Sequence, residues 1–145
     1  MKKTKVTILG GAGFIGSHLS DYLTSKNYKV TIFDLKKSNW LKSGQKMVLG
    51  DILDKRKLSL AIKGSDYVFN FAALADMDTL KFKALDTVMY NILGTVNALE
   101  ISKKYKVKKF IHSSTIYANT EEGGFYGRSK KAAEDMLRSI IINLI

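Results

Sequence analysis

Two short segments near opposite ends of the chain carry residues that could do chemistry together. Residues 10–16 read GGAGFIG, and residues 126–130 read YGRSK. A glycine-rich loop between a strand and a helix leaves backbone N–H groups free to meet a pyrophosphate. A phenol and an ammonium four positions apart face the same way on a helix. Together the two segments predict hydride chemistry on a bound nicotinamide.

The three spaced glycines of the first segment have different predicted roles. Gly10 allows a tight turn, Gly13 lets a phosphate approach without a Cβ in the way, and Gly16 lets the helix pack on the strand. Asp34 ends the predicted second strand, 18 residues after Gly16. Its carboxylate can accept hydrogen bonds from the adenosine ribose and would repel a 2′-phosphate, which favours NAD over NADP. The two lysines that follow it weaken this preference.

The second segment fits acid–base chemistry. A free phenol has a pKa of about 10, too high for a useful base near neutrality. A nearby ammonium and a positively charged nicotinamide both favour the phenolate. Tyr126 could then accept a proton from a sugar or alcohol hydroxyl while hydride leaves for the cofactor, and Lys130 could hold the nicotinamide ribose.

Two further polar residues have a structural and a functional interpretation. Asp51 follows the predicted third strand, where it fits either a helix N-cap or an adenine contact. Ser113 follows the predicted fifth strand, where it fits either a polar exit from the sheet or a hydroxyl that shares the substrate's proton with Tyr126.

Alternating apolar patterns predict the elements that must position these residues. Strands are predicted over 5–9, 29–34, 45–49, 67–71 and 109–113; helices over 14–25, from Asp51 or Asp54 to Ile62, over 86–105 with Val88, Ile92, Val96 and Leu99 inside, and over 126–143. This alternation predicts one doubly wound parallel α/β domain over 1–145, a Rossmann NAD-binding fold.

Composition limits the function classes. The chain has no cysteine and two distant histidines, His18 and His112, which we interpret as packed or surface residues, so no metal site is predicted. No apolar run is long enough to span a membrane, which predicts a cytoplasmic protein. The net charge of +11 comes mostly from dispersed lysines without interleaved aromatic residues, so nucleic-acid binding is the disfavoured interpretation.

The order and spacing of these segments resemble the extended short-chain dehydrogenase/reductase superfamily, in its NAD-dependent epimerase/dehydratase branch. The resemblance runs from Lys5 to about Arg138. Its segments are GGAGFIGSHL at 10–19, FDL at 33–35, GDI at 50–52, FAA at 71–73, NILGTVNALE at 91–100, SSTIY at 113–117 and YGRSK at 126–130.

The resemblance implies NAD as cofactor, a nucleotide-sugar as substrate, and a homodimer through helices 86–105 and 126–142. It implies Ser113, Tyr126 and Lys130 as catalytic residues. The cofactor-binding residues that it implies are Gly10, Gly13, Phe14, Ile15, Gly16, Asp34, Leu35, Asp51, Ile52, Phe71, Ala72, Ala73, Asn91, Tyr126 and Lys130.

Departures from the family pattern narrow the expected reaction. Tyr126 follows Tyr117 by nine positions, where relatives carry a longer loop that contains proline. Ser114 and Thr115 stand where family dehydratases carry an Asp–Glu pair and decarboxylating members a Glu. This argues for an epimerase or dehydrogenase rather than elimination or decarboxylation.

The carboxyl end of the chain differs as well. Family members continue into a domain that binds the nucleotide-sugar, and this chain ends in the apolar run SIIINLI. We expect that the chain is incomplete relative to its fold, or that a partner covers this end. A non-catalytic NAD-binding protein, an RNA-binding protein and an inactive fragment remain alternatives.

Overall fold

Runs of β-branched and aromatic residues form five parallel strands. The structure of the protein, a computed structural model, describes residues 3–76 and 83–142. The strands are β1 (Lys5–Leu9), β2 (Lys29–Asp34), β3 (Lys46–Leu49), β4 (Tyr67–Asn70) and β5 (Lys109–His112), in the sheet order β3-β2-β1-β4-β5. Every neighbouring pair is parallel, so all carboxyl ends meet at one edge. The predicted fold is confirmed, with β3 beginning one residue later and β4 and β5 ending one residue earlier than expected.

Helices follow the strands as predicted, together with two short helical segments of other types. They are α1 (Phe14–Ser25), α2 (Lys55–Ile62), α3 (Ala84–Thr87), a π-helical segment π1 (Val88–Leu93), α4 (Gly94–Lys104), a 3₁₀ turn (Ile116–Asn119) and α5 (Gly124–Ile142). Helical backbone angles at the junctions make α3, π1 and α4 one continuous long helix. The π segment and the 3₁₀ turn were not predicted. The predicted last helical residue, Asn143, lies outside the described residues.

Local sequence explains where several helices begin and end. Asn27, just after α1, has a positive φ of 66°, which Asn tolerates better than most residues. Asp54 caps α2 by accepting hydrogen bonds from the N–H groups of Arg56 and Lys57. The N-cap interpretation of Asp51 is therefore wrong, because the cap lies three residues later.

Apolar side chains on the two faces of the sheet build two core layers. On one face, alternate residues of β1 and β2 pack under Leu19 and Leu23 of α1. On the other face, Leu9, Phe33 and Val68 pack against α2 and α4. This division places the edge with the carboxyl ends of β1, β2, β4 and β5 between helices of both layers.

The long helix buries only part of the face that we predicted: Leu99 is buried, and Ile92 and Val96 are half-buried. Val88 is 50% exposed, whereas Asn91 and Thr95 are fully buried. A π-helical turn holds more residues than an α-turn, so π1 rotates the following side chains relative to a regular helix. The polar residues Asn91 and Thr95 consequently face the sheet, and Val88 faces outward.

Candidate active site

The glycine loop is shaped by contacts that only glycine permits. Gly10, which follows β1, has φ +75°, and a Cβ there would lie 2.6 Å from the backbone nitrogen of Ala72. A Cβ at Gly16 would overlap the carbonyl oxygen of Gly10. A Cβ at Gly13 would meet only that same oxygen, at 3.3 Å. Gly10 and Gly16 therefore serve close packing, while the backbone at Gly13 is open on its outer side.

A groove runs along the carboxyl edge of the sheet from this loop. Eight predicted cofactor residues line it: Gly10, Gly13, Asp34, Leu35, Ile52, Phe71, Ala72 and Ala73. Four residues outside the predicted cofactor-binding set also line the groove: Phe33, Gly50, Leu74 and Tyr90. Phe14 and Ile15 lie beside the groove in the first turn of α1, with side chains 81% and 60% exposed. The groove combines three features that dinucleotide binding requires: a glycine loop of the right length, an open backbone at Gly13 and an acidic side chain at Asp34.

Asp34 connects the end of β2 to the glycine loop. One carboxylate oxygen accepts from the N–H of Ala12 at 3.0 Å, and the other accepts from the N–H of Lys36 at 3.1 Å. Each oxygen keeps a lone pair, so the carboxylate can still accept from a ribose hydroxyl. The two backbone contacts fix its orientation in advance of any ligand.

A buried amide at the end of β4 fixes the next part of the groove. The side-chain oxygen of Asn70 accepts from the N–H of Ala72 at 3.1 Å. Its nitrogen lies 3.2 Å from both the Thr95 hydroxyl and Nδ1 of His112. Sequence reasoning missed Asn70, although an Asn that ends an otherwise apolar strand was a readable signal.

Asn91 joins the groove wall to α5. Its oxygen accepts from the N–H of Leu74 at 2.7 Å, and its nitrogen donates to the Leu74 carbonyl at 3.0 Å and the Ser129 hydroxyl at 2.9 Å. Protein groups thus occupy both ends of this amide. The role that the structure gives Asn91 is to hold the loop after β4 against α5, and its contact with the cofactor stays a prediction.

The predicted catalytic residues lie at the neighbouring end of β5. Ser113 follows β5 directly and donates to the carbonyl of Asn70 at 3.2 Å. Tyr126 is half-buried in the first turn of α5, and Lys130, one turn later, is 1% exposed. Both residues lie within one helical turn of Ser129, which Asn91 contacts. The residues that line the groove do not include Ser113, Tyr126 or Lys130, so their approach to a bound cofactor stays a prediction.

Burial changes the protonation of two side chains here. It lowers the pKa of Lys130 from 10.5 to about 8, against a smaller opposing effect of the Glu134 carboxylate. Burial also lowers the pKa of His112 to about 4, and the positive charge of Lys130 acts in the same direction. His112 is therefore a neutral, packed histidine, as the sequence indicated, and the ammonium of Lys130 lies near the end of β5.

Gly123 and Gly127 let the first turn of α5 pack closely against Tyr117. A Cβ at Gly127 would overlap the carbonyl oxygen of Tyr117, and a Cβ at Gly123 would lie 2.5 Å from the Tyr117 side chain. The 3₁₀ turn therefore presses directly on the first turn of α5. This contact holds Tyr126 in place despite the short connection from Tyr117.

The sequence matches a known protein family over most of its length. The model of the NAD dependent epimerase/dehydratase family matches residues 6–141. The chain belongs to this family. Its members take NAD as cofactor, and they include epimerases and dehydratases of nucleotide-sugars among the relatives below.

Individual members of the epimerase/dehydratase family show how far the likeness extends. The chain is 38% identical over 129 residues to a dTDP-D-glucose 4,6-dehydratase of Dictyostelium discoideum, which covers 77% of this chain and 29% of that protein. It is 34% identical over 130 residues to a UDP-glucose 4-epimerase of Mycoplasma genitalium, covering 81% and 38%. A solved Thermus thermophilus UDP-glucose 4-epimerase in complex with NAD superimposes with TM-score 0.83 at 28% identity, covering 94% and 50%.

The chain spans less than two-fifths of these two curated relatives and about half of the solved structure. Across residues 3–76 and 83–142, no helix combines the length and apolar character that crossing a membrane requires. In the same ranges, His, Asp and Glu side chains form no group of three that could hold a metal ion.

Proposed function

We propose that this chain supplies the NAD-binding half of an enzyme that modifies a nucleotide-sugar by transient hydride transfer, as an epimerase or a dehydrogenase. The observation that carries the proposal is the link from the groove to α5. Asn91 joins Leu74 in the groove wall to Ser129, which lies between Tyr126 and the buried Lys130. A cofactor in the groove would thus extend toward a phenol and an ammonium.

The groove divides into subsites for the parts of NAD. We assign the pyrophosphate to the backbone from Gly10 to Gly16, including Phe14 and Ile15, whose N–H groups begin α1. Asp34 and Leu35 would hold the adenosine ribose, and Asp51 and Ile52 the adenine. Phe71, Ala72 and Ala73 would line the path to the nicotinamide.

The reaction then follows from the residues beside the nicotinamide end. When bound, NAD supplies a hydride acceptor. Tyr126 takes the proton of a sugar hydroxyl as the carbon that carries this hydroxyl is oxidised. Ser113, whose O–H points to the Asn70 carbonyl in this structure, would turn it to the developing keto oxygen. Lys130, as an ammonium, would donate to the hydroxyls of the nicotinamide ribose. In an epimerase the keto intermediate turns over and the hydride returns to its other face.

Ser114 and Thr115, which follow Ser113, do not supply the acidic side chain that a dehydratase needs for elimination of water. Thr115 accepts from the N–H of Tyr117 and caps the 3₁₀ turn. Ser114 donates to the Glu134 carboxylate on α5. These roles support an epimerase or a dehydrogenase over a dehydratase, although a dehydratase is among the relatives.

We also propose that the protein works as a homodimer in the cytoplasm. Large apolar side chains stand exposed on the two long helices, and these are the surfaces through which family resemblance predicts dimers. They are Leu85, Val88 and Leu93 on the α3–α4 helix, and Phe125 and Met136 on α5.

The test is reduction of NAD by nucleotide-sugars. The enzyme that contains this chain as its NAD-binding half is incubated with NAD and a panel of uridine- and thymidine-diphosphate sugars, and reduced nicotinamide and sugar epimers are measured. We expect Tyr126→Phe to lower turnover by about 10²–10⁴-fold, the usual contribution of a general acid–base residue. Tyr22→Phe, on the 58%-exposed Tyr22 of α1, is the matched control. Equal turnover by Tyr126→Phe and Tyr22→Phe would contradict the assigned mechanism.

A further inference from the structure

One groove residue has no part in the mechanism above. Tyr90 lies on π1, half-buried, and its ring packs against the core cluster that contains Ile52. Its hydroxyl lies 3.3 Å from Oδ2 of Asp51, to which it donates. Tyr90 also lines the groove, as do Gly50 and Ile52 on either side of Asp51 in the chain.

The long helix is built to bring Tyr90 to this position. A Cβ at Gly94, one turn after Tyr90, would lie 2.6 Å from Cγ2 of Ile52. The absence of a side chain there lets the helix sit directly on Ile52. The π-helical turn at 88–93 then sets which residue faces the groove, and such turns frequently occur at functional sites.

The Asp51 carboxylate is held from two sides. Oδ1 accepts from the N–H of Leu53 at 2.8 Å, and Oδ2 accepts from Tyr90. The negative charge of Asp51 raises the pKa of Tyr90 above its ordinary value of 10, so the phenol remains a donor at neutral pH. Each carboxylate oxygen keeps a lone pair for a ligand.

We propose that Tyr90 is a positioning residue that fixes the Asp51 carboxylate as the acceptor for the exocyclic amine of adenine. The inference rests on the proposed binding of NAD in this groove. A fixed carboxylate accepts from an amino group but repels the carbonyl oxygen that replaces it in hypoxanthine. Tyr90 thereby makes the site select a 6-aminopurine over a 6-oxopurine.

The experiment compares two dinucleotides on three proteins. Dissociation constants of NAD and of nicotinamide hypoxanthine dinucleotide are measured by calorimetry for the wild-type chain, Tyr90→Phe and Tyr105→Phe. Tyr105 is a matched control, because it packs partly buried on the same core cluster but ends α4 far along the helix from the groove. The ratio of the two constants is taken within one protein, so a partly unfolded variant still reports it.

We expect the wild type to prefer NAD by about tenfold or more. Tyr90→Phe should weaken NAD binding by about 3–10-fold, the scale of one typical hydrogen bond, and reduce the preference to within about threefold. Tyr105→Phe should leave both quantities unchanged. In an Asp51→Ala background, Tyr90→Phe should have no further effect on the ratio, because Tyr90 acts through Asp51.

Two results would overturn the proposal, and they are distinguishable. NAD binding by the wild type with an unchanged ratio in Tyr90→Phe would reject the role of Tyr90 and leave the proposed function standing. Failure of the wild type to bind either dinucleotide would reject the proposed function and this inference together.

Discussion

Replacing Lys130 with methionine should make the protein more stable while removing its activity. Lys130 is 1% exposed, and burial lowers its pKa from 10.5 to about 8. A tenfold change in an acid constant corresponds to about 1.4 kcal/mol, so the folded state disfavours this ammonium by about 3 kcal/mol. Methionine has a similar length and no charge, so most of that cost should disappear. We expect Lys130→Met to raise the free energy of unfolding by about 2–3 kcal/mol at pH 7.

The sign of the effect depends on pH in a defined window. Below pH 8 the folded and unfolded chains both carry the ammonium, and only the folded chain is penalised by it. Between about pH 8 and 10.5 the unfolded chain binds more protons, so wild-type stability rises with pH. The advantage of Lys130→Met should therefore be full at pH 7 and nearly absent near pH 10.5.

Urea unfolding at pH 7 and pH 10 measures this difference directly. Lys131→Met is the matched control, since the adjacent Lys131 pairs with Asp135 at the surface and should change stability by less than about 0.5 kcal/mol at either pH. The reasoning is refuted if Lys130→Met lowers stability by the same amount at both pH values. Such a result would mean that the ammonium is stabilised where it lies.

Three further substitutions test the groove and its supports. Gly13→Val should abolish NAD binding in a titration and lower the urea midpoint somewhat, because a Cβ there lies 3.3 Å from the Gly10 carbonyl oxygen, which must shift slightly. Binding that survives in the folded variant would show that the ligand does not approach this backbone. Asp34→Ser should reduce the preference for NAD over NADP by about tenfold in competition binding, because it removes the charge that repels a 2′-phosphate. An unchanged preference would exclude the contact between Asp34 and the adenosine ribose. Asn91→Ala should lower the free energy of unfolding by about 2–4 kcal/mol, because it removes three hydrogen bonds to Leu74 and Ser129 that a buried amide makes. A loss below about 1 kcal/mol would contradict its bracing role.

The fold was readable because its signals are local. The bounds of β1, α1 and β2 were predicted to the residue, since apolar runs end there at glycines or at Asn27 and Asp34. The π segment at Val88–Leu93 was not readable, because apolar periodicity distinguishes a helix from a strand and does not mark a local change in helical hydrogen-bond spacing. Without it, the predicted inward face of the long helix placed Val88 inside and overlooked Tyr90.

The sequence predicted which residues form the groove better than it predicted their burial and their contacts. Eight predicted cofactor residues line one groove, because the glycine loop and the strand ends are marked by sequence. The contacts of Asn70 and Asn91 join segments up to 42 residues apart, so no local pattern indicates them. The burial of Lys130 depends on how α5 packs against the long helix and the 3₁₀ turn, and the sequence showed only that Lys130 follows Tyr126 by one turn.

The central claim is that the glycine loop and the Tyr126–Lys130 pair meet the same bound NAD. Amide chemical shifts of the ¹⁵N-labelled chain, followed by NMR during titration with NAD and with AMP, test it most directly. The account predicts that NAD shifts the signals of both Gly13 and Lys130 with one dissociation constant, while AMP shifts those around Asp34 and Asp51 and leaves Lys130 unchanged. Saturation of the Gly13 signal by NAD with no response at Tyr126 or Lys130 would contradict it.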